Sequence, residues 1–431
     1  MTAFISSRSR LLFSCSLILI VVCCSSPERQ HFETSADWKA VQTTVGTERS
    51  VHTLTGSIWR GTAHLEPELT IGAEDKGEQY VFGQVMGAVL GDDCILVLDA
   101  SIPALRKYSL SGEYVRDVAR QGGGPGEFLR PYFPAVHPTD GRIFIQDRSL
   151  ARVNIYSPAG EYLDAWRVPA NYLFGTPPVI SDDGFFYHNR SLAGPYPMPD
   201  VPTGMVGFGP EGAIGDTISS EPYSVDTPSL VGYREDGGMF ASMAIPFYPD
   251  FHWILTPSRS LVTGYAEDYL FRVHSPGGGI TRVSREWTPI AVQQDEANWY
   301  REALLVFFRS FKSDWRWDGP EIPSTKPAYE MFFADLDSRI WVIRPGEGRQ
   351  VEGCPNPPME RMDLFDNPCW KDERLVDVFD SDGKYLGPVM TPDGFSFMPQ
   401  PYVKGEHVVG VVVAKDGTQR VVKYRLILPQ R

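Results

Sequence analysis

Short apolar runs of about five residues, set off by polar turns rich in Gly, Asp and Ser, recur along most of the chain. The run Cys94–Asp99 reads Cys-Ile-Leu-Val-Leu-Asp and is answered by Arg-Ile-Phe-Ile-Gln-Asp over 142–147. A second segment follows each: Tyr-Ser-Leu-Ser-Gly-Glu-Tyr ending at Tyr114, and Tyr-Ser-Pro-Ala-Gly-Glu-Tyr ending at Tyr162. Asp99 to Asp147, Ser101 to Ser149, Tyr108 to Tyr156 and Gly112 to Gly160 are each 48 positions apart. Runs this short predict strands, and the Gly turns between them predict hairpins. Looser echoes begin at Asp182, Ser260, Asp337 and Val408, which makes six units. Repeats of about 40 to 50 residues with several strands each are the mark of propeller blades. The pattern predicts an all-β, six-bladed β-propeller over residues 57–431. An early strand near His64 to Ile71 is expected to pair into the last unit and close the ring, removing two free edges.

Two insertions interrupt the repeat. Over Asp295 to Lys312, Tyr300, Leu304, Phe307, Phe308 and Phe311 fall on one helical stripe. Acidic residues open this segment and basic ones close it, which suits the helix dipole. A helix is foreign to a blade, so it must lie across one face of the ring. It is expected either to pack there or to form a lid over the pore, with Trp299, Tyr300, Phe307, Phe308 and Phe311 as the residues concerned. The second insertion runs from Cys354 to Cys369. In an exported chain these two cysteines are the natural disulfide pair, since Cys94 begins an apolar strand and reads as a buried thiol. A cross-linked, charged loop is expected to be ordered, exposed and available for recognition.

The first segment reads as an address. Arg8 and Arg10 precede the apolar run Leu11 to Val22, and Cys23 and Cys24 end it. A basic start, a short apolar core and small residues make a secretory signal over 1–24, too short to span a membrane comfortably. The Val21-Val22-Cys23-Cys24 junction resembles a bacterial lipobox. That resemblance implies acylation, with Cys24 the favoured anchor because Cys23 is then the small residue before the cut. An ordinary secretory signal with two incidental cysteines is the alternative. Residues 25–56 are polar and rich in Ser and Thr, and read as a flexible tether.

Aromatics make up 12% of the 431 residues, beside 40 Gly and 36 Pro, which suits many short strands and argues against a helical bundle. The formal net charge of -14 repels phosphate backbones, so no nucleic-acid partner is expected.

The stretch Arg120-Gln-Gly-Gly-Gly-Pro-Gly-Glu-Phe128 lacks the Lys-Ser/Thr of a phosphate loop. Gly124, Pro125, Gly126, Glu127 and Phe128 resemble the connector between blades in the six-bladed propeller lipoproteins of bacteria, related to NHL-repeat propellers. The resemblance covers about 57 to 428. It implies a lipid-anchored protein of the cell envelope, facing the periplasm or the cell surface, and identifies architecture rather than a reaction. Glu127 is expected to bond local amides. Asp99 and Asp147 read as turn caps, with an acidic ring at the pore mouth as the alternative. No two of the eight His stand at a metal-ligand spacing, and the Asp-rich turns lack the closing Glu of a calcium loop. No cofactor has a motif, calcium included, and no Gly-x-Ser-x-Gly marks a hydrolase. Two functions stay open: a non-enzymatic binding or assembly module for a protein, peptide or glycan, and a pore-centred, metal-dependent hydrolase or lyase of the gluconolactonase-like propeller type.

Overall fold

The computed structural model describes residues 29–35, 38–72, 76–168, 177–191, 203–219, 227–353, 358, 369–414 and 416–429. Six four-stranded antiparallel blades follow one another. Blade 1 is Val85–Leu90, Cys94–Asp99, Ala104–Ser109 and Tyr114–Ala119, from the axis outward. Blade 2 runs from Pro131–Val136 out to Tyr162–Arg167, and blade 3 from Val179–Ile180 out to Ile214–Ser219. Blade 4 runs from Phe251–Leu255 out to Ile280–Arg285, and blade 5 from Met331–Ala334 out to Tyr385–Met390.

Blade 6 takes three of its layers from the C-terminal segment and its outermost strand from the other end of the chain. Ala63–Ile71 pairs antiparallel with Gln419–Ile427, Leu65 opposite Leu426 and Ile71 opposite Val421. The expected ring closure is present. It leaves neither blade 6 nor the body's two ends with a bare edge at the seam.

The second strand of a blade is apolar at successive positions because neighbouring blades cover both its faces. Cys94–Asp99 is buried at all six positions. Ile95 and Val97 pack towards blade 6 with Val409, Val411 and Val421, while Leu96 and Leu98 pack towards blade 2 with Ile143 and Ile145. Phe144 and Phe186 share the wedge between blades 2 and 3; Tyr187, Met205 and Leu255 share the next. Phe271, Phe332 and Phe379 fill the wedge between blades 4 and 5, and Trp341, Val408 and Tyr424 the one between 5 and 6. One apolar cluster per gap, six gaps in all, is what a closed ring requires.

The two faces of the ring differ. Tight turns such as 110–113 and 157–161 occupy the lower face. The upper face carries the connectors between blades, which hold the segments 227–250 and 286–330, and the described part of the link between the second and third strands of blade 5.

Two expectations are corrected. Of the expected tether over 25–56, residues 29–35 and 38–56 are sheet instead. Arg29–Ser35 (β1), Trp38–Val45 (β2) and Glu48–Gly56 (β3) are strands, and β3 adds in parallel to the outermost strand of blade 4. Trp38, Ala40, Val51 and Thr53 are buried on one side of this edge sheet, while Thr44 and Thr55 are exposed. The helix, Gln294–Arg309 (α1), ends before Phe311, which is 47% exposed. Of the expected stripe, Leu304 and Phe308 are buried and Tyr300 and Phe307 partly so, while Glu296, Trp299 and Ala303 complete the buried side. A hairpin, Ser229–Tyr233 with Met239–Ala244, stands in the connector between blades 3 and 4 where no element was foreseen. The signal segment 1–24 with Cys24, and Cys354 of the proposed bridge, lie outside the described residues. The disulfide-closed loop is therefore not shown as such, although Cys369 is fully buried and disulfide-bonded.

Candidate functional site

The connector 120–128 folds as a closed turn. Gly126 takes φ 71°, a left-handed value that favours glycine. Gly124 N donates to Glu127 Oε2 at 2.8 Å, Arg152 Nη2 donates to the Gly124 and Glu127 carbonyls, and Tyr156 OH donates to the Gly126 carbonyl. Phe128 is fully buried, so Gly124 to Phe128 form a structural link. Asp99 accepts from the amides of Gly83, Gln84 and Ser101, and Asp147 from those of Leu129, Arg130 and Leu150. Both carboxylates are spent on turns and point to no shared ion. Cys94 is a free, buried thiol, and burial pushes its pKa up to about 11.

On the upper face, α1 is held from two sides. Leu304 and Phe308 pack with Leu230, Ile245 and Trp315, and the Trp315 ring stacks on Phe308 at 4.1 Å. Trp299 and Ala303 pack with Cys369 and Trp370 of the blade 5 insertion. The helix starts with a capping box between Gln293 and Glu296, and Gln293 Nε2 donates to the Gly348 carbonyl. Lys326, 1% exposed, donates to Glu296 Oε1 at 2.8 Å and Asp372 Oδ1 at 2.7 Å. A buried triad thus clamps helix, connector and blade 5 together. Tyr300 is edge-on to Trp299, and Phe307 is half-buried against the cluster of Leu230, Ile245 and Trp315, so both take part in packing the helix down.

Beside this cap lies a groove open to solvent, with a volume of about 540 Å³. Tyr248, Tyr265 and Trp287 line it with Pro249, Pro289, Pro323 and Pro327. Glu267, Asp268 and Glu286 supply exposed carboxylates, while the one cation in the lining, Lys326, is already neutralised by Glu296 and Asp372. Burial, with Tyr248, Glu267 and Asp250 adding to it, pushes the Tyr265 phenol up, so it remains a neutral donor and a stacking surface. The groove is therefore electronegative, aromatic and walled by proline. It can stack apolar or cationic groups and accept hydrogen bonds. Sequence reasoning missed it because four separate segments build it, and none carries a motif.

The axial channel has a different character. Its free space is about 70 Å³, lined by Val89, Phe133, Pro134, Ile180, Pro257, Leu336, Pro401 and Val403 among others. Its acid, Asp335, is taken up by Arg339, by Trp341 Nε1 and by the amides of Asp337 and Arg339. Among the described residues no three His, Cys, Asp or Glu come together as metal ligands.

His188 sits in the wedge between blades 2 and 3, stacked on Phe186. Its Nδ1 bonds the Asn189 carbonyl, and burial lowers its pKa to about 4. An unfolded imidazole titrates near ~6.5, so as pH falls the unfolded chain takes up the proton first. The stability from neutral, buried His188 is full above that value and is lost between about 6.5 and 4. The loss amounts to about 3 kcal/mol and stops below pH 4. In His188→Gln, urea midpoints should fall less between pH 7 and pH 4.5 than in the wild type. Parallel slopes in the two proteins would refute the assignment.

Residues 78–193 match the family model DUF5128, described as a 6-bladed beta-propeller. No curated protein matches the chain in sequence. Among solved structures, a DUF4221 family member from Bacteroides vulgatus is 10% identical, covering 86% of this chain and 99% of its own, with a TM-score of 0.48. Virginiamycin B lyase from Staphylococcus aureus is 10% identical over 80% of this chain and 95% of its own, with a TM-score of 0.35. A gluconolactonase from Xanthomonas campestris is 10% identical over 94% and 99%, with a TM-score of 0.33. Likenesses this distant carry nothing about the site. The chain is an all-β, six-bladed propeller, and its residues 78–193 are where it is similar to the DUF5128 family.

Proposed function

We propose that the protein is an exported, lipid-anchored binding module of the cell envelope that seats a cationic segment of a protein or peptide in the upper-face groove, without catalysis. The observation that carries this reading is the groove itself: three aromatic rings and three exposed carboxylates on the face that holds the helix, the hairpin and the blade 5 insertion. Cation–π contact and charge attraction favour Lys or Arg, and aromatic walls suit extended, Pro-containing chain. Among the described residues no helix is long and apolar enough to cross a membrane, so membrane attachment in this reading is through acylated Cys24.

The test is equilibrium binding of a labelled Lys-Pro repeat peptide, its Glu-Pro counterpart and a neutral oligosaccharide to the purified protein. The Lys-Pro peptide should bind, more weakly at high salt, and Trp287→Ala should weaken it about tenfold. Equal binding of both peptides, or binding of the oligosaccharide alone, would defeat this choice of ligand.

The bridge between Cys354 and Cys369 belongs to the same proposal, as the staple of the insertion on which α1 rests. Non-reducing peptide maps should recover the two as one linked fragment. In Cys354→Ala with Cys369→Ala the blades should melt almost unchanged, because the loop is an insertion, while peptide binding weakens. A free thiol at either position would remove the staple.

A further inference from the structure

Blade 4 carries three more strands at its outer edge, and their directions fix where the N-terminal segment leaves the body. Ile280, at the start of the outermost blade strand, follows the lower-face turn in which Ser275 bonds Gly279. Glu48 of β3 lies opposite Ile280, and Thr53 lies opposite Arg285 at the upper end. Val45 of β2 pairs with Glu48, and Arg29 of β1 pairs with Thr44. Arg29, Thr44 to Glu48 and Ile280 thus share one level, the lower rim of blade 4. The groove, the helix and the hairpin belong to the opposite face.

Only five residue steps join Cys24 to Arg29. Fully extended they span at most about 18 Å. A compact body of this size has a radius of gyration of about 21 Å, so it measures roughly 50 Å across. The lead is too short to let an arbitrary face reach the bilayer that holds the acyl chains. A tether of thirty-odd residues, as composition implied, would have left orientation free.

Resting on the reading of Cys24 as the acylated residue, we infer that the lower rim of blade 4 is a foot that meets the lipid surface and turns the grooved face away from it. The rim offers Val45, 59% exposed, at the β2–β3 turn, with Arg49 of β3 one residue beyond Glu48. The exposed apolar side chain suits the headgroup region of a bilayer, and Arg49, bonded to Gln42 at 2.9 Å and 3.9 Å from Asp382, holds its charge at the same level. The groove then faces partners approaching from the aqueous side.

The experiment uses the full-length acylated protein in phosphatidylethanolamine/phosphatidylglycerol vesicles. A nitroxide is placed at Val45→Cys in one variant and at Met239→Cys, on the upper-face hairpin, in another. Both sites are exposed, so neither variant threatens the fold. Nickel chelated to lipid headgroups relaxes any nitroxide near the surface. Relaxation at 45 should exceed that at 239 several-fold. A 20-residue Gly/Ser insertion between Glu28 and Arg29 should erase the contrast while vesicle binding persists. Vesicle-bound protein with equal relaxation at both sites, or stronger relaxation at 239, overturns the orientation alone. Protein that neither incorporates palmitate nor floats with vesicles overturns the lipoprotein reading, and the foot with it.

Discussion

Lys326→Met should lower stability by about 3–5 kcal/mol, because it strands two carboxylates that the fold has buried around one ammonium. Glu296 is fully buried at the start of α1 and Asp372 is largely buried in the blade 5 insertion. With Lys326 present, each carboxylate has a donor below 3 Å. Without it, the Gln293 amide at 3.4 Å is what Glu296 keeps among the described residues. The helix should undock from blade 5 before the ring opens, and Trp299 and Trp370 sit at that junction to report it. Urea unfolding followed by Trp fluorescence should show an early transition missing in the wild type. Adding Glu296→Gln to Lys326→Met should recover part of the loss by removing the stranded charge. A wild-type midpoint in Lys326→Met would mean that water already solvates the triad.

A loss of similar size, about 3–5 kcal/mol, is expected for Asp377→Ala at the seam between blades 4 and 5. Asp377 is 2% exposed and accepts from Tyr269 OH at 2.8 Å, Tyr385 OH at 2.6 Å, Arg285 Nη1 at 2.7 Å and Arg344 Nη1 at 3.3 Å. Arg285 also lies 4.3 Å above the Tyr385 ring. Burial, then Asp377 itself, pushes both phenols far above their usual range, so they stay donors. Removing the carboxylate leaves two guanidinium groups and two hydroxyls without their acceptor. Asp377→Asn keeps an acceptor oxygen and should cost less, and Tyr385→Phe should cost only about 1 kcal/mol. Thermal unfolding of the three variants should rank Ala below Asn below Phe. Equal melting of Asp377→Ala and Tyr385→Phe would show that the carboxylate is not the hub.

Much of the fold was legible in the chain. A strand covered on both faces needs apolar residues at every position, and that demand wrote Cys94–Asp99 and Ile143–Asp147 into the sequence 48 residues apart. The turn between them needs an acceptor for the same amides each time, so Asp99 and Asp147 repeat as well. Ring closure was legible because an apolar strand near Leu65 had no other blade to join. The edge strands β1 to β3 were not. An edge sheet buries one side only, and a few residues such as Trp38, Ala40 and Val51 do that within an otherwise polar composition. Composition alone cannot tell such a sheet from a tether.

The site lay further from view. The sequence nominated α1 and the Cys354–Cys369 loop, and α1 does rest against the insertion that contains Cys369. It did not nominate Tyr265, Trp287 or Glu267, because a groove is a relation between segments and no segment records it alone. The sequence by itself determined what repeats: the strands, their turns and the blade count, each set by local spacing and by burial between neighbours. Only the tertiary structure decided what the ring brings together: the Lys326 triad, the Asp377 hub, the acidic aromatic groove, and the rim from which the N-terminal segment departs. Those depend on which of many distant residues meet, and closing the ring is the event that makes them meet.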